Sequence, residues 1–502
     1  MEYETILRIE GITSQTAKRP PLLNSLCFDL YKGEIFGILG RSEAGKSTLS
    51  NILTGNYFDY SGQIYYAEEL ISIRDLDESK ALGIYCIREK SGLLQNLDIA
   101  QNLLAVRESE RKMIKIRERF SSKYPAAGRV LNRSENYIAP AKNIWDGRNY
   151  RKLRKLLDEW GLHFAASKTV SELTRIEQCL VEMLKAVISD AKIVIIDEIT
   201  YHYGKDECEI LEKYIERLAD TGISVIFMDS KLRPMTDICD RIMVLKDGKN
   251  VGVYFKSEFS ERIFEGLLTD QEFRTAYKSA PIHGKPVAKV TINRGTTGEL
   301  SFEVYPGETI GFVEDNMSGS VDITGFIPGR TGKKCINIWT DGMPACDSSI
   351  RELYRSGMGY IISCSDRDNL FPDMTAEQNL NILILDKLSD RWGIVKNRVL
   401  AYCYRECAKR FGFEKIIEKG SSVAGFSVED KIWLYIARQA LIKPKVLVMY
   451  RSIERLDFIS RKYLLSLLDK LKNGGTAILM FSVQLSNVEP ICDKIIHIGG
   501  KN

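Results

Sequence analysis

The octapeptide Gly40-Arg41-Ser42-Glu43-Ala44-Gly45-Lys46-Ser47 fits the pattern G-x-x-x-x-G-K-[ST] of a phosphate-binding loop. The apolar run 35–39 before it predicts a strand, and residues 48–53 after it predict the start of a helix. Glycines let the backbone N–H groups of such a loop turn toward phosphates, and the N-terminus of the following helix adds a favourable field. The alternative, a glycine-rich turn without a ligand, does not require this strand and helix. The sequence therefore predicts a phosphate site here.

The side chains of the loop have separate expected roles. Lys46 would provide a positive charge for the β- and γ-phosphates of a nucleotide, and the hydroxyl of Ser47 would bind Mg²⁺. We expect nucleotide contacts from the whole loop and the first turn of the helix, that is from Gly40, Arg41, Ser42, Glu43, Ala44, Gly45, Lys46, Ser47 and Thr48.

A second acidic element accompanies the loop. The apolar segment 193–196 predicts a buried strand, and it is followed directly by Asp197 and Glu198. Asp197 would hold the magnesium through water, and Glu198 would polarise the water that attacks the terminal phosphate. The alternative is an acidic strand end that only caps a helix. The phosphate loop in the same chain favours the catalytic interpretation.

The chain contains an internal repeat. Three segments of the first half return in the same order in the second half: 31–37 as 305–311, 100–103 as 377–380, and 238–242 as 491–495. Such a repeat indicates a duplicated unit. We predict two homologous domains, 1–257 and 286–502, joined by a linker at 258–285.

Each predicted domain has the pattern of an α/β fold. Short β-branched runs, read as buried strands, are separated by helical stretches, and this order predicts a mainly parallel sheet core. A polar, basic insert of helical character lies at about 106–168 in the first half. The basic side chains of this insert indicate either a solvated helical face or a docking surface for another protein.

Composition excludes several classes of protein. The chain has 502 residues with 71 Lys or Arg and 67 Asp or Glu, so the formal net charge is only +4. That charge is too small, for this length, to indicate a protein that coats nucleic acid or a membrane. No apolar run reaches the roughly 18 residues of a membrane-spanning helix. Eleven cysteines without a Cys-x-x-Cys pair are typical of reduced intracellular thiols.

These motifs resemble those of a known family. With its phosphate loop, the acidic pair 197–198, the late segment 238–249 and its duplication, the chain resembles the ATP-binding subunits of bacterial ABC importers. It is similar in particular to the tandem, two-cassette subunits of ribose- and galactose-type monosaccharide importers. The resemblance implies two tandem P-loop nucleotide-binding domains of the ABC type, which use ATP and Mg²⁺.

The resemblance also implies partners and a location. Such a subunit is cytoplasmic and peripheral on the inner face of the cell membrane, where it docks on a membrane permease. An extracytoplasmic sugar-binding protein delivers the substrate. The resemblance implies neither a membrane span in this chain nor nucleic acid as a partner.

The chain departs from the family at several functional positions. The Leu-Ser-Gly-Gly-Gln signature corresponds to residues 173–177 in the first half, Leu-Thr-Arg-Ile-Glu, where side chains replace both glycines. In the second half it corresponds to 426–430, and only Ser427 is kept. Glu89 stands where the permease-coupling glutamine is usual, and Ser230 where a histidine senses the γ-phosphate. These departures predict weak hydrolysis.

The second half has lost more of its motifs. Its phosphate loop corresponds to 314–321, Glu-Asp-Asn-Met-Ser-Gly-Ser-Val, which lacks the lysine and adds two carboxylates. Its acidic strand end is replaced by Tyr450 and Arg451. In the head-to-tail arrangement that the family implies, the first loop faces the second signature, so Ser427 would contact the nucleotide. We therefore predict one ATP per chain.

Two functions stay open at this point. The favoured one is the ATP-binding subunit of a carbohydrate importer that hydrolyses ATP slowly. The other is an ATP-binding sensor or scaffold that transports nothing. A tandem cassette that acts on ribosomes or DNA is disfavoured, because the linker 258–285 is short and mixed in charge.

Overall fold

The computed structural model of the chain forms two compact units, Met1–Asp270 and Gln271–Asn502. Their boundary falls inside the segment 258–285 that we predicted as a linker. The residues that the structure describes are 4–15, 22–104, 122, 125, 147–268, 284–293, 299–314, 336–340, 343–344, 350–362, 370–411, 422–423, 426–453, 456–482, 485–489 and 491–498. Most of the basic insert and of the second phosphate loop lies outside them.

The strands of the first unit form two sheets. In chain order they are β1 (Thr5–Ser14), β2 (Leu26–Tyr31), β3 (Ile35–Gly40), β4 (Tyr60–Tyr66), β5 (Glu69–Ile71), β6 (Ile84–Arg88), β7 (Ile193–Asp197), β8 (Ser224–Asp229), β9 (Arg241–Lys246) and β10 (Lys249–Phe255). The order β10-β9-β3-β8-β7-β6 makes the larger sheet, which is parallel except for the β9–β10 pair. The order β2-β1-β4-β5 makes an antiparallel sheet.

Helices connect these strands. They are α1 (Lys46–Leu53), α2 (Leu76–Ala81), α3 (Ile99–Leu104), α4 (Gly147–Glu159), α5 (Arg175–Ile188), α6 (Lys205–Asp220), α7 (Leu232–Ile238) and α8 (Glu261–Leu268). Short 3-10 turns occur at Val170–Glu172, Thr200–His202 and Lys256–Glu258. Among the described residues, no helix is both long and apolar enough to cross a membrane.

The parallel sheet places the functional segments at one edge. Strands β3, β7 and β8 are buried along their whole length, as expected of strands that are covered on both faces. Neighbouring parallel strands end at the same edge, so the phosphate loop after β3 and the acids after β7 are brought together there. The predicted α/β fold with a mainly parallel core is confirmed.

Each unit also has an antiparallel sheet, which was not predicted from the sequence. Strand β1 mixes buried and partly exposed positions, and its partner β2 does the same, because one face of this sheet packs on the core. Continuous apolar runs indicate strands buried on both faces. Half-buried strands give a weaker pattern in a sequence, so these strands were not predicted.

The second unit repeats this plan. Its strands are β11 (Ala288–Asn293), β12 (Glu299–Val304), β13 (Thr309–Glu314), β14 (Ile336–Thr340), β15 (Met343–Pro344), β16 (Met358–Ile361), β17 (Val446–Tyr450), β18 (Ala477–Ser482) and β19 (Lys494–Ile498). The order β16-β17-β18-β13-β19 is a parallel sheet, and β12-β11-β14-β15 is antiparallel. Its helices are α9 (Ile350–Arg355), α10 (Ala376–Asn381), α11 (Leu385–Leu388), α12 (Asn397–Phe411), α13 (Val428–Leu441), α14 (Phe458–Lys472) and α15 (Leu485–Val488), with a 3-10 turn at Ile382–Ile384.

Equivalent side chains of the two units make equivalent contacts. Asn102 accepts from the N–H of Leu94 at 2.7 Å and donates to backbone carbonyls, among them that of Leu94 at 3.0 Å. Asn379 does the same with the N–H and carbonyl of Phe371, at 2.8 and 2.9 Å. Both belong to a segment of the repeat, so the repeat keeps a hydrogen-bonding group that holds a loop to a helix.

A second repeated contact holds the start of one strand in each parallel sheet. A carboxylate oxygen of Asp240 accepts the N–H of Ile35, at the start of β3, at 2.9 Å. Asp493 accepts the N–H of Thr309, at the start of β13, at 2.8 Å. Backbone N–H groups at a buried strand end need such acceptors, which explains the aspartates in the repeated segments 238–242 and 491–495.

Candidate functional site

The phosphate loop has a backbone that only glycine fits at one position. Gly45, the residue before α1, has φ +107°, and a Cβ there would lie 2.6 Å from the carbonyl oxygen of Leu22. Glu43 also has a positive φ of +69°. This backbone leads directly into the N-terminus of α1, where free N–H groups and the helix dipole favour an anion. The loop therefore has the local geometry of a phosphate site.

Lys46 is held inside the loop. Only 3% of the residue is exposed, and its Nζ donates to the carbonyl oxygens of Gly40 at 2.6 Å and Arg41 at 2.8 Å. Its ammonium group thus lies within the turn formed by residues 40–46.

The other predicted loop residues differ in their exposure to solvent. Ala44 and Gly45 are buried, and Arg41, Ser42 and Thr48 are half-buried. Glu43 and Ser47 are exposed. The exposed hydroxyl of Ser47 is accessible to an incoming ion. The structure brings the nine predicted first-unit loop positions together, and their nucleotide contacts stay a prediction.

Asp197 ends the buried strand β7. It is 7% exposed, and within the described part of the chain its Oδ1 has no hydrogen-bond partner. Burial and the negative charge of Glu198 raise the pKa of this carboxyl to about 6, against the opposing effects of Ser50 and Arg88. A divalent cation would satisfy such an oxygen and stabilise the ionised carboxylate. The residues present therefore fit Mg²⁺, which Ser47 and Asp197 would hold, and its charge would offset that of the phosphates.

Glu198 follows Asp197 directly in the chain and contacts Lys46. It has a positive φ of +52°, and its N–H donates to the carbonyl of Met228 at 3.0 Å. Its Oε1 lies 2.9 Å from Nζ of Lys46. The helix-capping alternative is not what the described structure shows, because the turn Thr200–His202 after it has no side-chain cap. The predicted acid and the predicted lysine are in direct contact.

Arg88 belongs to this group, although the sequence analysis did not identify it. It is the last residue of β6 and pairs in register with Asp197. Its guanidinium group donates to Ser50 at 3.1 Å, Asn51 at 2.8 Å and Thr54 at 3.3 Å, all on or just after α1. It links the helix after the phosphate loop to the strand beside the acids. A single arginine after a short strand gives no distinctive signal in a sequence.

Ser230, at the position of the family histidine, is buried. It is 1% exposed and shares a hydrogen bond of 2.9 Å with the hydroxyl of Tyr201. Its neighbour Asp229 is fully buried and accepts from Thr200 at 2.5 Å and from the N–H of Lys231 at 2.9 Å. Burial raises the pKa of the Asp229 carboxyl. The Ser230 hydroxyl is thus engaged inside the protein.

Both helices that follow the signature positions are capped by their own side chains. In the first unit the N–H of Glu177 donates to Oγ1 of Thr174 at 3.3 Å, and the N–H of Thr174 donates to the Glu177 carboxylate at 2.8 Å. In the second unit Ser427 and Asp430 form the same reciprocal pair, at 3.2 Å each. This capping box satisfies two backbone N–H groups at each helix N-terminus. Ser427 is described here only within its own unit, and its contact with ATP stays a prediction.

The second unit has a basic residue where the first has Glu198. Arg451 has a positive φ of +47°, and its N–H donates to the carbonyl of Phe481 at 2.9 Å. These are the backbone features of Glu198.

In the second signature, the side chain of Glu429 accepts from Ser460 at 2.9 Å, on the neighbouring helix α14. Residues 315–321 of the second phosphate loop lie outside the described residues.

Comparisons with known proteins agree with these motifs. Residues 23–201 match the model of the ABC transporter family. The ribose import ATP-binding protein RbsA of Caldanaerobacter subterraneus is 24% identical over 499 residues, 98% of this chain and 94% of that protein. The xylose import ATP-binding protein XylG of Geobacillus kaustophilus is 24% identical, over 98% of this chain and 94% of that protein.

Two further proteins are similar. The L-arabinose transport ATP-binding protein AraG of Geobacillus stearothermophilus is 25% identical over 98% of this chain and 93% of its own length. A solved ATP-binding cassette of an ABC transporter, in its ADP conformation, covers 53% of this chain and 95% of its own, at 21% identity and a TM-score of 0.41. Given the phosphate loop, the acidic strand end and the family match at residues 23–201, the first unit carries an ABC transporter domain, and over its full length the chain is similar to tandem-cassette ATP-binding subunits of that family.

Proposed function

We propose that this chain binds Mg-ATP at residues 40–48 and works as the ATP-binding subunit of a monosaccharide importer. The observation that carries the proposal is the meeting of three groups at one sheet edge: the loop, its buried Lys46, and the unpaired buried oxygen of Asp197. The similar proteins named for ribose, xylose and arabinose support the sugar class.

One ATP per chain is the proposed stoichiometry. The first unit has both a lysine and acids at its sheet edge, whereas the second has Tyr450 and Arg451 after the equivalent strand. In the sequence 314–321, Ser320 and Val321 also stand at the positions of the lysine and the hydroxyl that phosphates and magnesium require. A triphosphate in the second unit would meet added carboxylates instead.

Slow hydrolysis is the proposed kinetic property. Glu198 can orient water, but stabilisation of the developing charge needs further donors aimed at the γ-phosphate. The hydroxyl of Ser230 is buried against Tyr201, and side chains stand at the glycine positions of both signatures, residues 175–176 and 428–429. Loss of a single well-placed donor commonly costs about 100-fold or more in rate.

The proposed partners follow from the family. They are a membrane permease, which would bring this chain to the inner face of the cell membrane, and an extracytoplasmic sugar-binding protein that acts indirectly. Nucleic acid is not among the proposed partners, because the net charge is only +4.

Calorimetric titration with Mg-ATP tests the site. We expect close to one ATP per chain, and no binding in Lys46→Ala. Lys205→Ala is the matched control, because Lys205 is an exposed lysine at the start of α6 in the same unit. Two equivalent sites, or binding that survives Lys46→Ala, would contradict the proposal.

A steady-state phosphate-release assay tests the rate. We expect slow or undetectable turnover by the purified chain and none by Glu198→Gln. Brisk turnover that this substitution removes would show that Ser230 and the altered signatures matter less than we propose.

The second candidate is an ATP-binding sensor or scaffold. The side chains at residues 175–176 and 428–429 favour it, because they add bulk where the signature glycines would allow a nucleotide to approach the backbone closely. Purification of the tagged chain from its own cells separates the two functions. A co-purifying permease supports the importer, and a regulatory protein without any permease supports the sensor.

A further inference from the structure

A tight turn of the second unit, residues 389–396, displays two apolar side chains. It joins α11 to α12 and is organised by Asp390. One carboxylate oxygen of Asp390 accepts the N–H groups of Trp392 at 2.8 Å and Ile394 at 3.0 Å. Its own N–H donates to the carbonyl of Ile394 at 3.0 Å, and the N–H of Gly393 donates to its carbonyl at 2.9 Å. The turn is thus held by hydrogen bonds of its own.

The tip of this turn is apolar and exposed, and the guanidinium of Arg391 lies 5.3 Å from the centre of the Trp392 ring. Trp392 is 73% exposed and Ile394 is 61% exposed. Gly393 between them has φ +77°, so the backbone reverses at this point and places both side chains at the tip. Because Asp390 fixes the backbone, local collapse would break several hydrogen bonds. Large apolar groups held in water in this way indicate an interaction site.

The surroundings of the tip are basic. Residues 385–411 contain seven Lys or Arg and three Asp or Glu, a surplus of four that equals the net charge of the whole chain. Arg391, Lys396 and Arg398 are exposed around the tip. The carboxylate of Asp390 is engaged inside the turn. The segment around the tip is therefore locally basic.

Helix α12 extends this surface. Its buried face consists of residues at helical spacing, Leu400, Tyr404, Cys407 and Phe411. The opposite face carries Arg398, Tyr402, Arg405 and Lys409, and all four are exposed. Tyr402 is 58% exposed. The outer face of the helix thus combines an aromatic residue with three cations and with the exposed Glu406, whose carboxylate lies 3.4 Å from Nζ of Lys409. We name the turn and this face the basic-aromatic surface.

We propose that the basic-aromatic surface binds an anionic lipid bilayer directly. Tryptophan is preferred at the level of lipid headgroups, because its ring is apolar and its N–H is polar. Cations near the surface of an anionic membrane add to the affinity, each by about fivefold. An acidic headgroup layer complements the ring of cations around the tip, and Trp392 and Ile394 enter its apolar edge. The contact goes beyond the proposed function, since it needs neither a permease nor ATP.

Vesicle sedimentation with the full chain tests this surface. We expect the protein to bind vesicles that contain phosphatidylglycerol and to remain in solution with phosphatidylcholine alone. Binding should weaken as salt rises, because exposed charges are screened. The double change Trp392→Ser and Ile394→Ser should reduce binding at least fivefold. Lys396→Gln with Arg398→Gln should reduce it more than tenfold on the anionic vesicles.

Matched controls come from the first unit. Phe58→Ser removes another highly exposed aromatic, 65% exposed, and Lys205→Gln removes an exposed cation. Both should leave vesicle binding unchanged. Thermal unfolding and the ATP titration of every variant exclude loss of the fold, and they separate failure of this proposal from failure of the ATP site.

Three results would overturn the proposal: equal binding to phosphatidylcholine vesicles, binding that the Trp392 and Ile394 changes leave intact, or no binding to either vesicle. Sedimentation velocity without lipid is a further check. Self-association that disappears with the Trp392 change would assign the surface to a second copy of the chain and also contradict a lipid site.

Discussion

Nζ of Lys46 lies 2.9 Å from Oε1 of Glu198, while the same ammonium group donates to the carbonyls of Gly40 and Arg41. A lysine has three N–H donors, so these contacts account for all of them. Lys46 must exchange partners before it can bind phosphate. The ion pair therefore opposes nucleotide binding.

Removing the charge of Glu198 should tighten ATP binding. In Glu198→Gln the ion pair with Lys46 is lost and a negative charge near the phosphates disappears. We expect the affinity for Mg-ATP to rise about two- to fivefold, the scale of a partly exposed ion pair. Calorimetric titration measures it, with Glu209→Gln, an exposed glutamate in the same unit, as the control. Weaker binding in Glu198→Gln would contradict the inhibitory role of the pair.

Gly45→Ala should damage the phosphate loop. The new Cβ would meet the carbonyl oxygen of Leu22 at 2.6 Å in a backbone with φ +107°. We expect the free energy of unfolding to fall by about 2 kcal/mol, from strain and overpacking together. ATP binding should weaken by more than tenfold in calorimetric titration.

Gly222→Ala separates these two causes. Gly222 has a positive φ of +85°, but a Cβ there would meet no atom within 4 Å. We expect a loss of about 1 kcal/mol from backbone strain alone and unchanged ATP binding. Equal effects of the two substitutions on ATP affinity would mean that the close approach to Leu22 is unimportant.

Asn102→Ala and Asn379→Ala should destabilise their units by the same mechanism. Each asparagine is buried, and each substitution leaves a backbone N–H, that of Leu94 or Phe371, without its acceptor. We expect a loss of about 2 kcal/mol for each. Hydrogen exchange should show faster exchange at Leu94 in the first variant and at Phe371 in the second. Exchange that is unchanged at these amides would contradict the bridging role.

Glu182→Gln should change how stability depends on pH. Glu182 is buried on α5, and its Oε1 accepts from Ser91 and from the N–H of Gly92. Burial raises the pKa of its carboxyl above the ordinary 4.5. The folded state therefore holds this proton more tightly than the unfolded state, and the resulting stability is lost as pH rises through the raised pKa.

Glutamine keeps the accepting oxygen without the charge. Relative to the parent, Glu182→Gln should gain stability as pH rises from 5 to 8. Denaturant unfolding at a series of pH values measures the difference. A difference that is constant with pH, or that shrinks as pH rises, would show that Glu182 titrates in its ordinary range.

The duplicated α/β plan and the phosphate loop could be predicted because their signals are local. A loop pattern depends on glycines at a fixed spacing between one strand and one helix, as at Gly40 and Gly45. A buried parallel strand such as β7 appears as a continuous apolar run. The repeat preserved residues that each unit needs for itself, such as Asn102 and Asn379. Half-buried strands were missed, because partial burial leaves a weaker pattern in the sequence.

Side-chain directions at the site were decided by the tertiary structure. The sequence by itself determined that Asp197 and Glu198 end a buried strand near a phosphate loop. It did not determine that Glu198 turns toward Lys46, or that Ser230 is buried against Tyr201. Nor did it identify Arg88, whose partners lie 34–38 positions earlier in the chain. Such directions depend on hydrogen-bond partners that are distant in sequence, and only the packed fold brings these partners within reach.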